Sequence, residues 1–275
     1  MTTMDTKPDL AAVKQRQQQA WASGDFAVVA ARIVIVAEQL CETADLHADW
    51  HVLDVATGSG NAAIAAARLG CTAVGVDYVP ALLERGRERA GAEGLPVVFA
   101  EGDAEALPFP DDSFDAVTSV FGSMFAPDHE RAAAELMRVS RPGGTIALAS
   151  WTSDGFIGEL FRTVAAHVPP PAGVRSPMLW GSEFHLRELF GEGIASLEVD
   201  ERTFTWRFSS AQEFVDFFRT WYGPTVKAFA GLEGDALDAL ERDLVELVRG
   251  WDRLGGGSGA IAVPAAYTEA VAVTR

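Results

Sequence analysis

Cysteine is scarce in this chain: Cys41 and Cys71 are the only two in 275 residues, and neither has the paired spacing of a zinc site or a redox dithiol. Both read as small buried apolar residues. No apolar run approaches the ~20 residues that span a bilayer, and residues 1–9 (MTTMDTKPD) lack the apolar stretch of a secretion signal, so the expectation is a cytoplasmic protein without membrane insertion. Positive charge is in short supply too. With 22 Lys and Arg against 39 Asp and Glu, the formal net charge of -17 disfavours nucleic acid and anionic membrane surfaces as partners. The one local basic cluster, Arg85, Arg87 and Arg89, is interleaved with Glu84 and Glu88 and reads as a solvated helix face.

What is present is an ordinary globular balance, 48% hydrophobic and 22% charged, on a chain long enough for one domain with an accessory lid. Residues 8–22 and 25–43 read as two helices split by Ser23-Gly24-Asp25. From 51 the pattern alternates: strand 51–57, helix 61–69, strand 72–77, helix 80–92, strands 97–102 and 114–120, helix 128–139, strand 145–151. Such alternation implies a parallel, doubly wound α/β sheet, because right-handed crossovers put helices on both faces. The alternation then lapses. A helix near 182–190, a strand over 196–208, helices at about 211–229 and 234–252, a Gly255-Gly256-Gly257-Ser258-Gly259 linker and a last strand over 266–274 complete the reading. The expected organisation is an N-terminal helical cap (1–44), a ligand-binding core (45–151) and a C-terminal part (152–275) with a helical lid insertion at about 211–254.

The ligand signal is His51-Val52-Leu53-Asp54-Val55-Ala56-Thr57-Gly58-Ser59-Gly60-Asn61, a strand pattern running through a glycine turn into an alanine-rich helix. Gly58 and Gly60 leave room for a ligand against backbone N–H groups and the positive end of the helix. Gly58-x-Gly60-x-x-Ala63, with Asp77 ending the next strand, satisfies the loose dinucleotide fingerprint, but a carboxylate on ribose hydroxyls serves S-adenosylmethionine equally. Asp54 separates the two, since a buried carboxylate inside the first strand needs a partner. The cationic amino end of S-adenosylmethionine is one such partner; the alternative is that Asp54 caps backbone N–H groups of the turn. After the third strand, Asp103 in Glu101-Gly102-Asp103-Ala104-Glu105 stands where a carboxylate can accept an adenine amine, whereas Asp111 and Asp112 read as a solvated turn.

Taken in order, VLDVATGSG, VGVDYVPALLERGR, GDAEALPFPDDSFDAV and ELMRVSRPGG resemble the class I S-adenosylmethionine-dependent methyltransferases, in the branch typified by ubiquinone and menaquinone biosynthesis (methyltransferase type 11), over roughly residues 25–151. The resemblance implies a Rossmann-like seven-stranded sheet whose last strand is antiparallel. It also implies that Asp54, Gly58 and Gly60 lie at the methionine end of the cofactor, Asp77 and Tyr78 at the ribose, and Asp103 with Ala104 at the adenine. Ala56, Thr57, Asn61, Ser119 and Phe121 complete the expected cofactor contacts. Ala56 stands where the family usually has glycine, a departure that disfavours positive φ at the start of the turn.

Methyl transfer is an in-line displacement, so the protein must align the acceptor and exclude water, and a base is optional. The expected partner is a small-molecule methyl acceptor, taken at oxygen or carbon; metalloid methylation, which needs several cysteines, does not suit a chain with two. Phe121, Met124 and Phe125 are candidates for the acceptor pocket, roofed by Trp21 and Phe26 from the N-terminal helices and by Trp221 and Tyr222 from the C-terminal insertion. Against this stands ordinary core packing of the same apolar residues. His129 is the candidate general base, with a structural histidine at a helix start as the alternative. A nicotinamide-dependent oxidoreductase and a non-catalytic S-adenosylmethionine-binding module are the competing functions.

Overall fold

The computed structural model describes residues 9–255 and 259–275; most of the expected glycine linker, and all but one of the residues read against a secretion signal, lie outside them. The chain opens with α1 (Leu10–Trp21), α2 (Phe26–Ala30) and α3 (Val34–Thr43). Asp9 and Asp25 cap the first two, their carboxylates accepting from the N–H groups of Ala12 and Ala27, each at 3.1 Å. The single helix expected over 25–43 is therefore two, broken at Ala31–Ile33. No breaker residue sits there, but the Arg32 guanidinium lies over the rings of Phe208 and Phe217 (4.5 and 4.4 Å), a tertiary contact that local sequence does not reveal.

The core follows as β1 (His51–Val55), α4 (Asn61–Arg68), β2 (Thr72–Asp77), α5 (Pro80–Ala92), β3 (Val98–Glu101), β4 (Phe114–Val120), α6 (His129–Val139) and β5 (Ser140–Trp151). Beyond it run α7 (Phe156–His167), α8 (Glu183–Phe190), β6 (Ile194–Phe208), α9 (Ala211–Trp221), α10 (Gly223–Ala230), α11 (Asp235–Trp251) and β7 (Ile261–Thr274). All seven strands form one sheet in the order β3-β2-β1-β4-β5-β7-β6, and β7 is antiparallel to both neighbours. The expected Rossmann-like sheet with an antiparallel last strand is the architecture observed.

Three differences from the sequence reading concern its C-terminal half. The helix α7 has no counterpart in the expected elements. One helix over 211–229 is in fact α9 and α10, separated at Tyr222, whose backbone is extended (φ -89°, ψ 104°), with Pro224 in the first turn of α10, where its missing N–H costs no helix bond. The last strand starts five residues earlier than expected, at Ile261. Pro264 lies within it, beyond the point where β5 stops pairing at Tyr267, so that position has a neighbour strand on one side only.

Strand order reverses between β1 and β4, the place where open α/β sheets bind ligands. Above the carboxyl ends of these strands, α1 packs on α10 and α2 on α9, so the N-terminal helices and the C-terminal insertion form one helical roof. At the contact of the first pair, a Cβ on Gly223 would collide with the Ala20 carbonyl. Among the described residues no helix is long and apolar enough to cross a membrane.

Candidate active site

β1 hands over to α4 through Ala56-Thr57-Gly58-Ser59-Gly60. Gly60 caps α4 at φ +85°, and a Cβ on it would lie 2.7 Å from the Phe99 ring, so only glycine fits. Ala56 takes the left-handed conformation as well (φ +52°), at a cost of about 1–2 kcal/mol, and thus keeps the turn that glycine would make.

Behind the loop lies a polar frame. The Asp54 carboxylate accepts from the Thr57 hydroxyl (2.5 Å), the Ala63 N–H (3.1 Å) and the Thr118 hydroxyl (3.3 Å). Burial pushes its carboxyl up to about 6, against the pull of those three donors. Arg89 reaches in from α5 and donates to the Ser59 carbonyl (2.6 Å) and to Asn61 Oδ1 (2.7 Å), while Asn61 Nδ2 donates to the Ala30 carbonyl (2.9 Å). Arg89 is therefore not part of a solvated basic face; it clamps the loop. Nor do Asp54, Thr57, Gly60 and Asn61 line the ligand cleft as expected. Their polar groups are spent on holding the turn, the capping alternative for Asp54.

In front of the loop is a cleft of about 600 Å³, partly open to solvent, floored by Ala56, Gly58 and Asp77. Asp77 ends β2 and is 5% exposed. Its two oxygens accept from the N–H groups of Gly58 and Val79, both at 2.8 Å, and each keeps accepting capacity toward the cleft. Burial pushes this carboxyl too up to about 6, with the backbone N–H groups pulling it down. Tyr78 and Leu82 continue the wall, and Asp103, Ala104 and Glu105 close its far end. There Asp103 accepts from Lys14 Nζ (2.6 Å) and from the Glu105 N–H (2.9 Å), and Lys14 also pairs with Glu105.

The sequence reading missed Lys14 and Gln17, although residues 14, 17 and 21 share one face of α1 by spacing alone. Gln18 ties that helix down, its Nε2 donating to the Tyr78 carbonyl (2.5 Å). Gln17 lines the cleft with its Oε1 buried and without a partner. An orphan acceptor there fits a ligand that carries hydroxyl or amino hydrogens.

At the end of β4, Ser119 is structural rather than exposed to the cleft: its hydroxyl donates to the Val55 carbonyl (2.7 Å) and accepts from the Ser123 N–H (2.9 Å). Phe121 does line the cleft, at φ +50°. The non-glycine residues of positive φ number five among those described; three are aspartates, which tolerate it, and the other two, Ala56 and Phe121, both face the cleft. The Phe121 ring lies flat on Trp151, 3.8 Å between centroids and 1° between planes.

Phe121, Trp21, Phe26 and Phe125 also wall a second chamber of about 410 Å³. Its remaining walls are Val29, Ile33, Trp151, Ile157, Leu160, Phe161, Trp206, Phe218 and Tyr222. Tyr222 is an expected member; Trp151 and Trp206 lie on expected strands but are not among the expected pocket residues, and the α7 residues belong to a helix the sequence reading lacks. Met124 is buried (1%) outside both cavities, and Trp221 is 37% exposed and lines neither, so both leave the expected pocket. His129, the expected general base, stands apart as well. Its ring is buried, with Nδ1 3.0 Å from His185 Nε2 and Trp180 across its face, in neither cavity. Burial first, and then the neighbouring His185 and Arg175, push its pKa down to about 4, so it stands as a neutral packed imidazole.

Residues 53–148 match the family described as Methyltransferase domain. The chain is 42% identical over 232 residues to an uncharacterised protein of Mycobacterium tuberculosis, covering 82% of this chain and 85% of that one. It is 43% identical over 131 residues to a demethylmenaquinone methyltransferase of Deinococcus radiodurans, covering 46% and 54%. Among solved structures, the YcgJ protein of Bacillus subtilis superposes with a TM-score of 0.58 at 21% identity, covering 87% of this chain and 97% of that one.

Proposed function

The chain belongs to the class I S-adenosylmethionine-dependent methyltransferases, and from that premise we propose that it methylates a small, planar, largely apolar metabolite at an oxygen or an electron-rich carbon. The observation that carries this reading is the shared wall: a polar cleft over the glycine loop and an aromatic chamber beside it meet at Trp21, Phe26, Phe121 and Phe125.

The cleft residues fit the cofactor. Asp77 offers two carboxylate oxygens where paired ribose hydroxyls donate, Gln17 Oε1 offers an acceptor without a protein partner, and Gly58 and Ala56 leave backbone exposed. When bound, S-adenosylmethionine supplies an electrophilic methyl on a sulfonium, whose carbon–sulfur bond breaks as the bond to the acceptor forms. The protein's part is to hold and dry the reacting pair. Among the described residues no carboxylate, histidine or lysine lines the chamber, so these walls offer no strong general base, and the acceptor brings its own nucleophile as a phenolate, an enolate or an activated ring carbon. Alignment against the shared aromatic wall and exclusion of water supply the catalysis.

Transfer of tritium-labelled methyl from S-adenosylmethionine to a panel of naphthols and hydroquinones tests this. Leu160→Phe, which narrows the chamber from α7, lowers acceptor kcat/KM at least about tenfold, roughly 1.4 kcal/mol, with S-adenosylhomocysteine affinity unchanged. Loss of both together contradicts the assignment of the chamber.

A further inference from the structure

Three side-chain polar atoms among the described residues are buried without a hydrogen-bond partner: Gln17 Oε1, Trp180 Nε1 and Trp206 Nε1. Gln17 belongs to the cofactor cleft, and Trp180 packs against His129 away from both cavities. Trp206 is different. It sits on β6, 2% exposed, as a wall of the aromatic chamber. Its ring neighbours are Phe204 (4.9 Å), Phe218 (5.3 Å), Phe214 (6.2 Å) and Phe208 (6.4 Å), none of which carries an oxygen or nitrogen acceptor. A second polar group borders the same space. Tyr222 is 7% exposed, its ring packs edge-on to Trp21, and its hydroxyl has no hydrogen-bond partner among the described residues.

An apolar chamber with a few unpaired polar groups is how small-molecule sites fix orientation, and a buried donor left unmade in the empty protein is a demand for a ligand acceptor. The indole N–H donates only, whereas the phenol both donates and accepts. We propose that Trp206 and Tyr222 hold an oxygen of the methyl acceptor, so that the substrates are planar carbonyl, quinol or phenolic compounds rather than hydrocarbons or amines. This rests on the assignment of the chamber to the acceptor, and it identifies what the chamber selects. An aromatic enclosure alone would also welcome a cation. The N–H of Trp206 repels an ammonium, and among the described residues no carboxylate lines the chamber to offset its charge.

The discriminating probes are 1-tetralone, tetralin and 1-aminotetralin, which share a skeleton and differ at one group, titrated into protein saturated with S-adenosylhomocysteine at pH 7. The expected order is 1-tetralone tighter than either of the others by about tenfold. Trp206→Phe removes most of that preference while tetralin and S-adenosylhomocysteine bind as before; Tyr222→Phe, which keeps the ring, reduces it further in the double variant. Equal binding of the three probes by the unaltered protein, tighter binding of the amine, or a preference untouched by both substitutions overturns the proposal. Should Trp206→Phe not fold, the probe order of the unaltered protein decides. Failure of the unaltered protein to bind S-adenosylhomocysteine is a separate outcome, which strikes the cofactor assignment and is read before any probe is added.

Discussion

The residue with most leverage is Asp77, because it is both a structural acceptor of the loop and the carboxylate facing the cleft. Its folded pKa, near 6, lies above the ordinary aspartate value of ~3.9. For folding, a raised carboxyl contributes stability below its unfolded pKa and loses it as pH rises through 6. For ligand binding the sign is opposite. Ribose hydroxyls donate to the ionised form, so binding draws the proton off, and affinity climbs with pH through about 6 and then levels. S-adenosylhomocysteine should therefore bind about tenfold more weakly at pH 5 than at pH 7.5, as calorimetry would register. Asp77→Asn should flatten that dependence and weaken binding at pH 7.5 by about 2 kcal/mol, the scale of a hydrogen bond to a charged group. Asp54 also titrates near 6, but behind the loop, so its protonation acts on the fold and not on a ligand contact. An affinity that is flat from pH 5 to 8 counts against Asp77 as the ribose acceptor.

At the scale of elements, α1 acts as the strap over the cofactor cleft. It is fastened by Lys14 to Asp103 and Glu105, and by Gln18 to the Tyr78 carbonyl. Lys14→Met removes the charged fastening and keeps most of the stem's bulk. S-adenosylhomocysteine should then dissociate several-fold faster in stopped-flow displacement, a change corresponding to less than about 1.4 kcal/mol, with little change in melting temperature; an unchanged rate means α1 does not gate the cleft. How much of this was legible in the sequence differs by region. The loop, Asp77 and Asp103 follow one another at strand ends in a regular alternation, so periodicity alone set them at one edge of the sheet. Nothing local marks the break at Ala31–Ile33, where Arg32 lies over Phe208 and Phe217 from a distant part of the chain. Pro264 masked the start of β7. The buried face of α7, Phe156, Ile157 and Leu160, follows a strand end with no alternation to frame it, and without α7 the part of the chamber wall made by Ile157, Leu160 and Phe161 goes unread too. His129 shows the limit of residue type as a guide: a histidine at a helix start is chemically able, and only the tertiary structure shows it packed against His185 and Trp180, in neither cavity.

For the molecule as a whole, the cleft and the chamber share Trp21, Phe26, Phe121 and Phe125, while the rest of the chamber wall comes largely from β5, α7, β6 and α9, so the chamber can be altered at residues that do not line the cleft. The net charge of -17 suits an uncharged or weakly acidic small acceptor held by apolar walls better than a polyanion. The central claim is that one cleft per chain is built for S-adenosylmethionine. Calorimetric titration of the purified protein with S-adenosylhomocysteine, S-adenosylmethionine and NAD tests it most directly. The account predicts one site per chain for S-adenosylhomocysteine, competition by S-adenosylmethionine at the same site, and no heat with NAD. Binding of NAD in place of S-adenosylhomocysteine would contradict it.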